Sequence, residues 1–274
     1  MSSPKRPVTS PTSPLTRREA IALTLAGLIA SPGQAWALDS DISRVLAPSG
    51  KLRAGLYTGT PTSIVNTSDK DPRGVGYEIG KELARQLHVD YAPVVFAKNA
   101  EVQQAVKTGA IDVAFTNASA ARAKEVDFAP PYLQIELGYL VAPGSAITDL
   151  RDIDTAGKRI GVTTGSTSDA TLSRDLKNAE VVRAPTFDDA LAQLASHQID
   201  AFATNKATLF EIAEKLPGAR VLDGRWGIER HAIAIPRGRE AGHEFLKTFT
   251  SGIISSGLVR DAIGRAGLKG VLEP

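Results

Sequence analysis

Gly109 to Tyr132, GAIDVAFTNASAARAKEVDFAPPY, decides the fold: a buried strand runs into a polar turn, a short basic helix and an exit fixed by two prolines. Ile111, Val113 and Phe115 alternate with smaller or polar residues, and β-branched and aromatic side chains at period two favour a strand. Thr116, Asn117 and Ser119 stand where that strand ends. Such side chains cap helices because their oxygens accept from unpaired backbone N–H groups. Arg122 then falls in the first helical turn, a permanent cation whose planar fork of donors suits a carboxylate held at two points. The competing expectation is an ordinary ion pair from Arg122 to Glu125 or Asp127.

Upstream, Lys51 to Tyr57 reads as a first strand, ended by the loop Thr58 to Arg73, rich in Thr, Ser, Pro and Asp. Ile79, Leu83 and Leu87 recur every fourth residue among Glu78, Lys81, Glu82 and Arg85, the pattern of an amphipathic helix. Tyr91–Phe96 is a second strand and Ala100–Thr108 a helix stopped by Gly109. Alternating strands and helices predict a largely parallel sheet covered by helices. Downstream the order repeats. Lys158 to Val162 echoes the first strand, Thr186 to Ser196 is a helix, and Gln198 to Asn205 echoes Ala110 to Asn117, both copies reading Ile-Asp, a short apolar run, then Thr-Asn. Two related lobes follow, each with its own sheet. What remains after Arg230 is a strand at Ala232–Ile235 and helices at Ala241–Ser255 and Leu258–Gly264, too little for a third lobe. The second lobe, 136–232, is therefore inserted into the first, 48–135 with 233–274. Crossings near Gln134 to Val141 and Arg230 to Arg237 form a hinge over which the lobes can close.

Ligands of open α/β sheets sit beyond the carboxyl ends of the strands, which brings Asn117 and Asn205 toward one cleft. Thr163 to Thr167 joins a strand to a helix beginning near Ser168, and its exposed amides favour an anion, with Gly165 allowing close approach. Arg122 from one lobe and the Gly165-Ser166-Thr167 turn from the other would then clamp one anionic group.

The chain has 274 residues, 42% hydrophobic and 23% charged, and no cysteine, which excludes disulfides, thiol catalysis and thiolate metal sites. Residues 1–37 have the basic start, apolar run Ala20 to Ala30 and small-residue end Ala35-Trp36-Ala37 of a cleaved export signal. Thr16-Arg17-Arg18-Glu19 resembles the twin-arginine signal, although Ala20 stands where that signal has a large apolar residue. The leader carries +3 of the formal +2 net charge, leaving −1 on the remainder, and a nearly neutral body argues against nucleic acid. His88, His197, His231 and His243 lack metal-ligand spacing, so neither metal nor cofactor is expected. No Gly-x-Ser-x-Gly elbow and no phosphate-cradling loop with lysine appears.

From about Lys51 to Gly270 the chain resembles the family 3 extracellular solute-binding proteins, the periplasmic receptors of polar amino acid ABC importers. The residues that carry the resemblance are Gly76-Tyr77-Glu78-Ile79, Gly109 to Val113, Arg122 to Phe128, Pro131-Tyr132, Lys158 to Val162 and Gly165-Ser166-Thr167. It implies a type II two-lobed α/β binding protein, each lobe a mixed, mostly parallel sheet flanked by helices, joined by a two-strand hinge. It also implies a monomeric periplasmic receptor, not an enzyme, that delivers a small polar solute to a permease in the inner membrane. The family's arginine for the ligand α-carboxylate falls on Arg122, and its second-lobe backbone and hydroxyl contacts fall on Gly165 and Thr167. Three positions depart. Asn117 replaces Thr or Ser five residues before the arginine, Thr60 stands where an aromatic residue covers the ligand, and Asn205 replaces the aspartate that holds the ligand α-ammonium. Losing that aspartate weakens the case for an α-amino acid, because a buried ammonium without a counter-charge is costly. A carboxylate remains the expected handle. The alternatives are a dehydratase-like enzyme on the same fold, with Glu136 and Asp169 as its candidate acids, or an interaction module with a vestigial cleft. Arg225 and Trp226, just before the return crossing, are expected either to line the cleft or to pack between the lobes.

Overall fold

The computed structural model describes residues 41–58, 60–65 and 71–272; the export signal expected at 1–37 lies outside them. The first half runs β1 (Lys51–Tyr57), α1 (Val75–Gln86), β2 (Asp90–Phe96), α2 (Asn99–Thr108) and β3 (Val113–Asn117). A single 3-10 turn at Arg122–Lys124 leads to β4 (Val126–Phe128) and β5 (Leu133–Val141). The second half runs β6 (Arg159–Thr163), α3 (Thr167–Asp175), β7 (Glu180–Ala184), α4 (Phe187–Ala195), β8 (Ala201–Asn205), α5 (Lys206–Lys215) and β9 (Arg220–Val221). The chain returns through β10 (Gly227–Pro236) to α6 (Glu240–Ser255), α7 (Leu258–Ala266) and β11 (Val271–Leu272).

The strands form one path in the order β2-β1-β3-β10-β5-β8-β6-β7. Each end is a parallel set of three, β2-β1-β3 and β7-β6-β8, with β1 and β6 central. Between them the antiparallel strands β10 and β5 pair with each other from Gly227↔Leu137 to His231↔Leu133. Two separate sheets were expected. The crossing strands instead pair with their neighbours on both sides and join the two sets into one hydrogen-bonded path. The return crossing is also a ten-residue strand, longer than the apolar run Ala232–Ile235 that announces it.

The repeated Ile-Asp has a physical cause in each half. Asp112, at the start of β3, accepts from the Arg53 backbone amide at 3.0 Å and from its Nη2 at 2.7 Å. Asp200, at the start of β8, accepts from the Arg159 amide at 2.8 Å and from its Nε at 3.4 Å. A carboxylate at the start of one strand therefore fixes its register on the neighbouring one. The preceding isoleucine fills the space that glycine leaves: a Cβ on Gly55 would overlap Ile111 Cδ1, and one on Gly161 would overlap Ile199 Cδ1. The echo in the sequence is one local packing solution used twice.

Apolar cores lie on both faces at both ends. Leu52, Leu56, Ile79, Leu83, Phe115 and Tyr132 belong to the largest, which α6 and α7 cover with Leu246, Phe249 and Val259. Val162, Tyr139 and Leu172 pack on one face of the second set, and Leu194, Phe202 and Leu209 on the other. Burying a side chain of this size is worth about 1.5–3 kcal/mol.

Helix α1 begins without a side-chain cap. Its first three amides, those of Val75, Gly76 and Tyr77, donate to the carbonyls of Pro61, Thr62 and Ser63 at 3.0, 3.0 and 3.2 Å. The loop thus meets a need that Ser or Asp meets elsewhere. The fit depends on Gly74, at φ 155°, where a Cβ would overlap the Ser63 carbonyl oxygen. A backbone oxygen cannot rotate away, so Gly74→Ala is expected to cost about 1–3 kcal/mol. Thermal unfolding checks this; a melting temperature equal to that of the unsubstituted protein would remove the loop from the account of how α1 starts.

Candidate functional site

β3, β8 and the 163–167 turn all end beside the crossing strands, as the strand-end rule requires. A cavity of about 20 Å³ lies there, room for about one water. Thr116, Asn117 and Arg122 line it from the first half, and Thr163, Ser166, Thr167, Thr204 and Asn205 from the second. Arg122 is half-buried. Its Nη1 donates to Thr116 Oγ1 at 2.8 Å and to the Asn117 carbonyl at 3.3 Å, while Ser119 Oγ accepts from its backbone amide at 3.3 Å. The expected rival does not form: Glu125 pairs with Lys107 at 2.7 Å, and Arg122 has no carboxylate within 4.0 Å among the described residues. Burial lowers its guanidinium from the usual value, and the Glu229 charge partly offsets this. Orientation by two acceptors on one nitrogen leaves the rest of the fork for a ligand.

Across the cavity, Asn117 Nδ2 donates to Thr167 Oγ1 at 2.9 Å, joining the two halves. Its Oδ1 accepts from the Arg230 amide at 2.8 Å, which holds the side chain to the crossing strand. Helix α3 starts at Thr167 with Ser166 as its cap: Ser166 Oγ accepts from the Asp169 amide at 3.1 Å. The Gly165 amide donates to Asp169 Oδ2 at 3.0 Å, so it is committed inside the turn, and Gly165 is not among the lining residues. Thr60 is buried away from the cavity, its hydroxyl 3.0 Å from Thr62 Oγ1 and 2.9 Å from Thr208 Oγ1 of α5. Ser119 orients the Arg122 turn and does not line the cavity either.

Asn99 and two further groups of cavity residues escaped the sequence reading. Tyr57 and Phe187, one from each half, line the cavity with ring centroids 6.4 Å apart and form the aromatic wall that Thr60 does not supply. Burial pushes the Tyr57 phenol up to about 12. Glu229 and His231, on β10, also line the cavity. Both are buried while Arg230 between them is exposed, so the strand's alternation turns a carboxylate and an imidazole inward. Glu229 Oε2 lies 3.0 Å from His231 Nε2 and accepts from Asn205 Nδ2 at 3.4 Å. Burial would raise this carboxyl, but His231, Arg122 and the Thr167 hydroxyl together hold it below the usual range. The missed signal was period two: counting inward from Ile235 and Ile233 reaches His231 and Glu229.

The acids considered for catalysis are engaged elsewhere. Glu136 pairs with Lys206 and Arg225, each at 2.7 Å, and Asp169 pairs with Arg183 at 2.9 Å besides capping its turn. Trp226 donates from Nε1 to the Gly138 carbonyl at 3.0 Å and packs 6.1 Å from Tyr139. It belongs to the second half's core and not to the cavity.

This architecture, with a cation and polar strand ends converging between two α/β halves, defines a solute-binding protein of type II fold. Residues 52–216 match the bacterial extracellular solute-binding proteins, family 3, and the chain belongs to that family. Among curated relatives, the ABC transporter glutamine-binding protein GlnH of Bacillus subtilis is 26% identical over 206 residues, which cover 73% of this chain and 75% of GlnH. The solved amino acid ABC transporter substrate-binding protein AbpA of Streptococcus pneumoniae, bound to L-arginine, superposes with a TM-score of 0.74 at 20% identity, over 81% of this chain and 97% of AbpA. An ancestral amino acid-binding protein described as a precursor of cyclohexadienyl dehydratase superposes at 0.71 with 20% identity, over 82% of this chain and 98% of its own. Among the described residues, no helix is long and apolar enough to cross a membrane.

Proposed function

We propose that this chain is an exported receptor that closes two lobes, 48–135 with 233–274 and 136–232, around a small carboxylate-bearing solute. It acts as a monomer in the periplasm and hands the solute to an ABC importer. The observation that carries this reading is Arg122: a half-buried guanidinium with no carboxylate partner among the described residues, oriented on Thr116 and Asn117 and facing the Ser166–Thr167 turn. A desolvated cation gains most from an anion that completes it. Thr116, Asn117 and Ser119 hold that cation, and Thr167 with the start of α3 completes the clamp from the other side. The names of GlnH and of the arginine-bound AbpA support an amino acid or a related organic acid.

Binding without turnover is the better reading of the cleft chemistry. A general acid working near neutral pH needs a raised carboxyl pKa, and Glu229 is held low. Titration calorimetry against the twenty L-amino acids and a set of small organic acids tests the proposal. Saturable one-to-one binding of at least one carboxylate, recovered unchanged afterwards, is the expected result. A ligand returned as a different compound would make the protein an enzyme, and a full panel without heat would leave an interaction module.

A further inference from the structure

Glu229 gives the cavity a second charge. It lies on β10, buried; Asn205 Nδ2 at 3.4 Å and His231 Nε2 at 3.0 Å both meet Oε2, and the Thr167 hydroxyl bonds the same carboxylate. A carboxylate accepts about four hydrogen bonds, so Glu229 retains capacity for a donor that enters the cavity. Two further lining atoms await partners: Thr163 Oγ1 and His231 Nδ1 are buried with none among the described residues. Arg122 lies near enough for its charge to act on Glu229, yet the two form no ion pair within 4.0 Å among the described residues. The cavity therefore holds a cation and an anion that do not satisfy each other directly.

We propose that Glu229 is the specificity-determining residue that receives the α-ammonium of the solute while Arg122 receives its carboxylate, so the ligand class is zwitterionic α-amino acids. This deepens the proposed receptor function and rests on it. A zwitterion carries its two charges on groups that share one carbon, and a site complementary to it needs opposite charges a short span apart without a bond between them. Arg122 and Glu229 line one cavity without an ion pair between them among the described residues, the arrangement that requirement asks for. Asn205 donates to the carboxylate and thereby orients it, so the neutral residue positions the charge that its own side chain lacks. The doubt raised by an asparagine at position 205 is answered by a carboxylate reached from β10, the crossing strand beyond β5.

The test compares each L-amino acid that the wild-type receptor binds with its deaminated carboxylic acid and its methyl ester, by calorimetry on the intact protein. Wild type is expected to bind the amino acid about 100-fold or more tightly than the deaminated acid, and Glu229→Gln to lose a comparable factor for the amino acid only. Asn205→Asp added to Glu229→Gln returns a carboxylate to within one side chain of the same point, and is expected to recover at least tenfold. This rescue separates charge placement from a folding defect, which thermal unfolding of each variant also monitors. Equal binding of an amino acid by wild type and Glu229→Gln overturns the assignment and leaves the receptor reading standing. So does a Glu229→Gln variant that binds amino acid and deaminated acid more tightly by the same factor, since Glu229 would then only counterbalance Arg122. Methyl esters that bind as well as free acids would overturn the receptor reading itself, and this assignment with it.

Discussion

Arg122→Ala is expected to abolish solute binding at concentrations that saturate the wild-type receptor. Truncating one partner of a buried charge pair costs about 3–5 kcal/mol, and at about 1.4 kcal/mol per decade this is a loss of roughly 150- to 4,000-fold. The loss is large because the guanidinium is already desolvated and oriented, by Thr116 Oγ1 and the Asn117 carbonyl, before any ligand arrives. Arg122→Lys keeps the charge and loses the planar fork, so it is expected to fall between wild type and alanine. Calorimetry with the best ligand of the panel measures both. An alanine variant that binds as wild type does would remove the clamp, and with it the proposed function.

The second large effect is on stability, and it distinguishes two positions that look alike in the sequence. Asp112 is fully buried, with 0% side-chain exposure, and receives Arg53 at 2.7 Å and Arg239 at 3.5 Å. Asp200 occupies the equivalent place but is 27% exposed, and its partner Arg159 is 39% exposed at 3.4 Å. Removing a buried partner costs about 3–5 kcal/mol. Arg53 keeps 32% of its side chain in water and can rehydrate, which reduces the expected cost of Asp112→Ala to about 2–3 kcal/mol. For a protein of this size that lowers the melting temperature by about 5–10 °C. Asp200→Ala, a partly exposed pair, should cost under about 1 kcal/mol. Calorimetric melting of the two variants decides the matter, and equal shifts would contradict the burial argument.

The two positions also show what the sequence could and could not convey. The repeat was legible because register and packing are local: Ile-Asp before one strand, and Arg with Gly on its neighbour, occur together in both copies. The unequal burial of the two copies was not legible. Arg239 reaches Asp112 from just before α6, a segment the repeat does not contain. The site divides the same way. Arg122, Asn117 and Thr167 could be placed from strand ends and helix starts, since their positions follow from short segments. Glu229 could not, because its burial depends on β10 lying between β3 and β5, and a carboxylate beside an arginine and a histidine reads as surface until that order is known. Gly165 shows the reverse failure: its amide looked free for an anion, but Asp169, four residues on, takes it. Tyr57 and Phe187 fall in a strand and a helix that the sequence announces, but they were illegible as neighbours, since they meet only when the halves do.

β11 bears on how such a receptor could be instrumented. Val271 and Leu272 add a strand to β5 opposite Ile135 and Gln134, and the Gly270 carbonyl accepts from the Glu136 amide at 3.1 Å. The last described residues therefore pair with a strand of the proposed hinge. A fluorescent protein fused directly after Leu272 would sit beside the proposed hinge, where closure would displace it least, and would load β5 itself. Spectroscopic labels meant to register solute capture belong far from that strand, beside β2 and β7 at the two ends of the strand path, where a few degrees of rotation become ångströms.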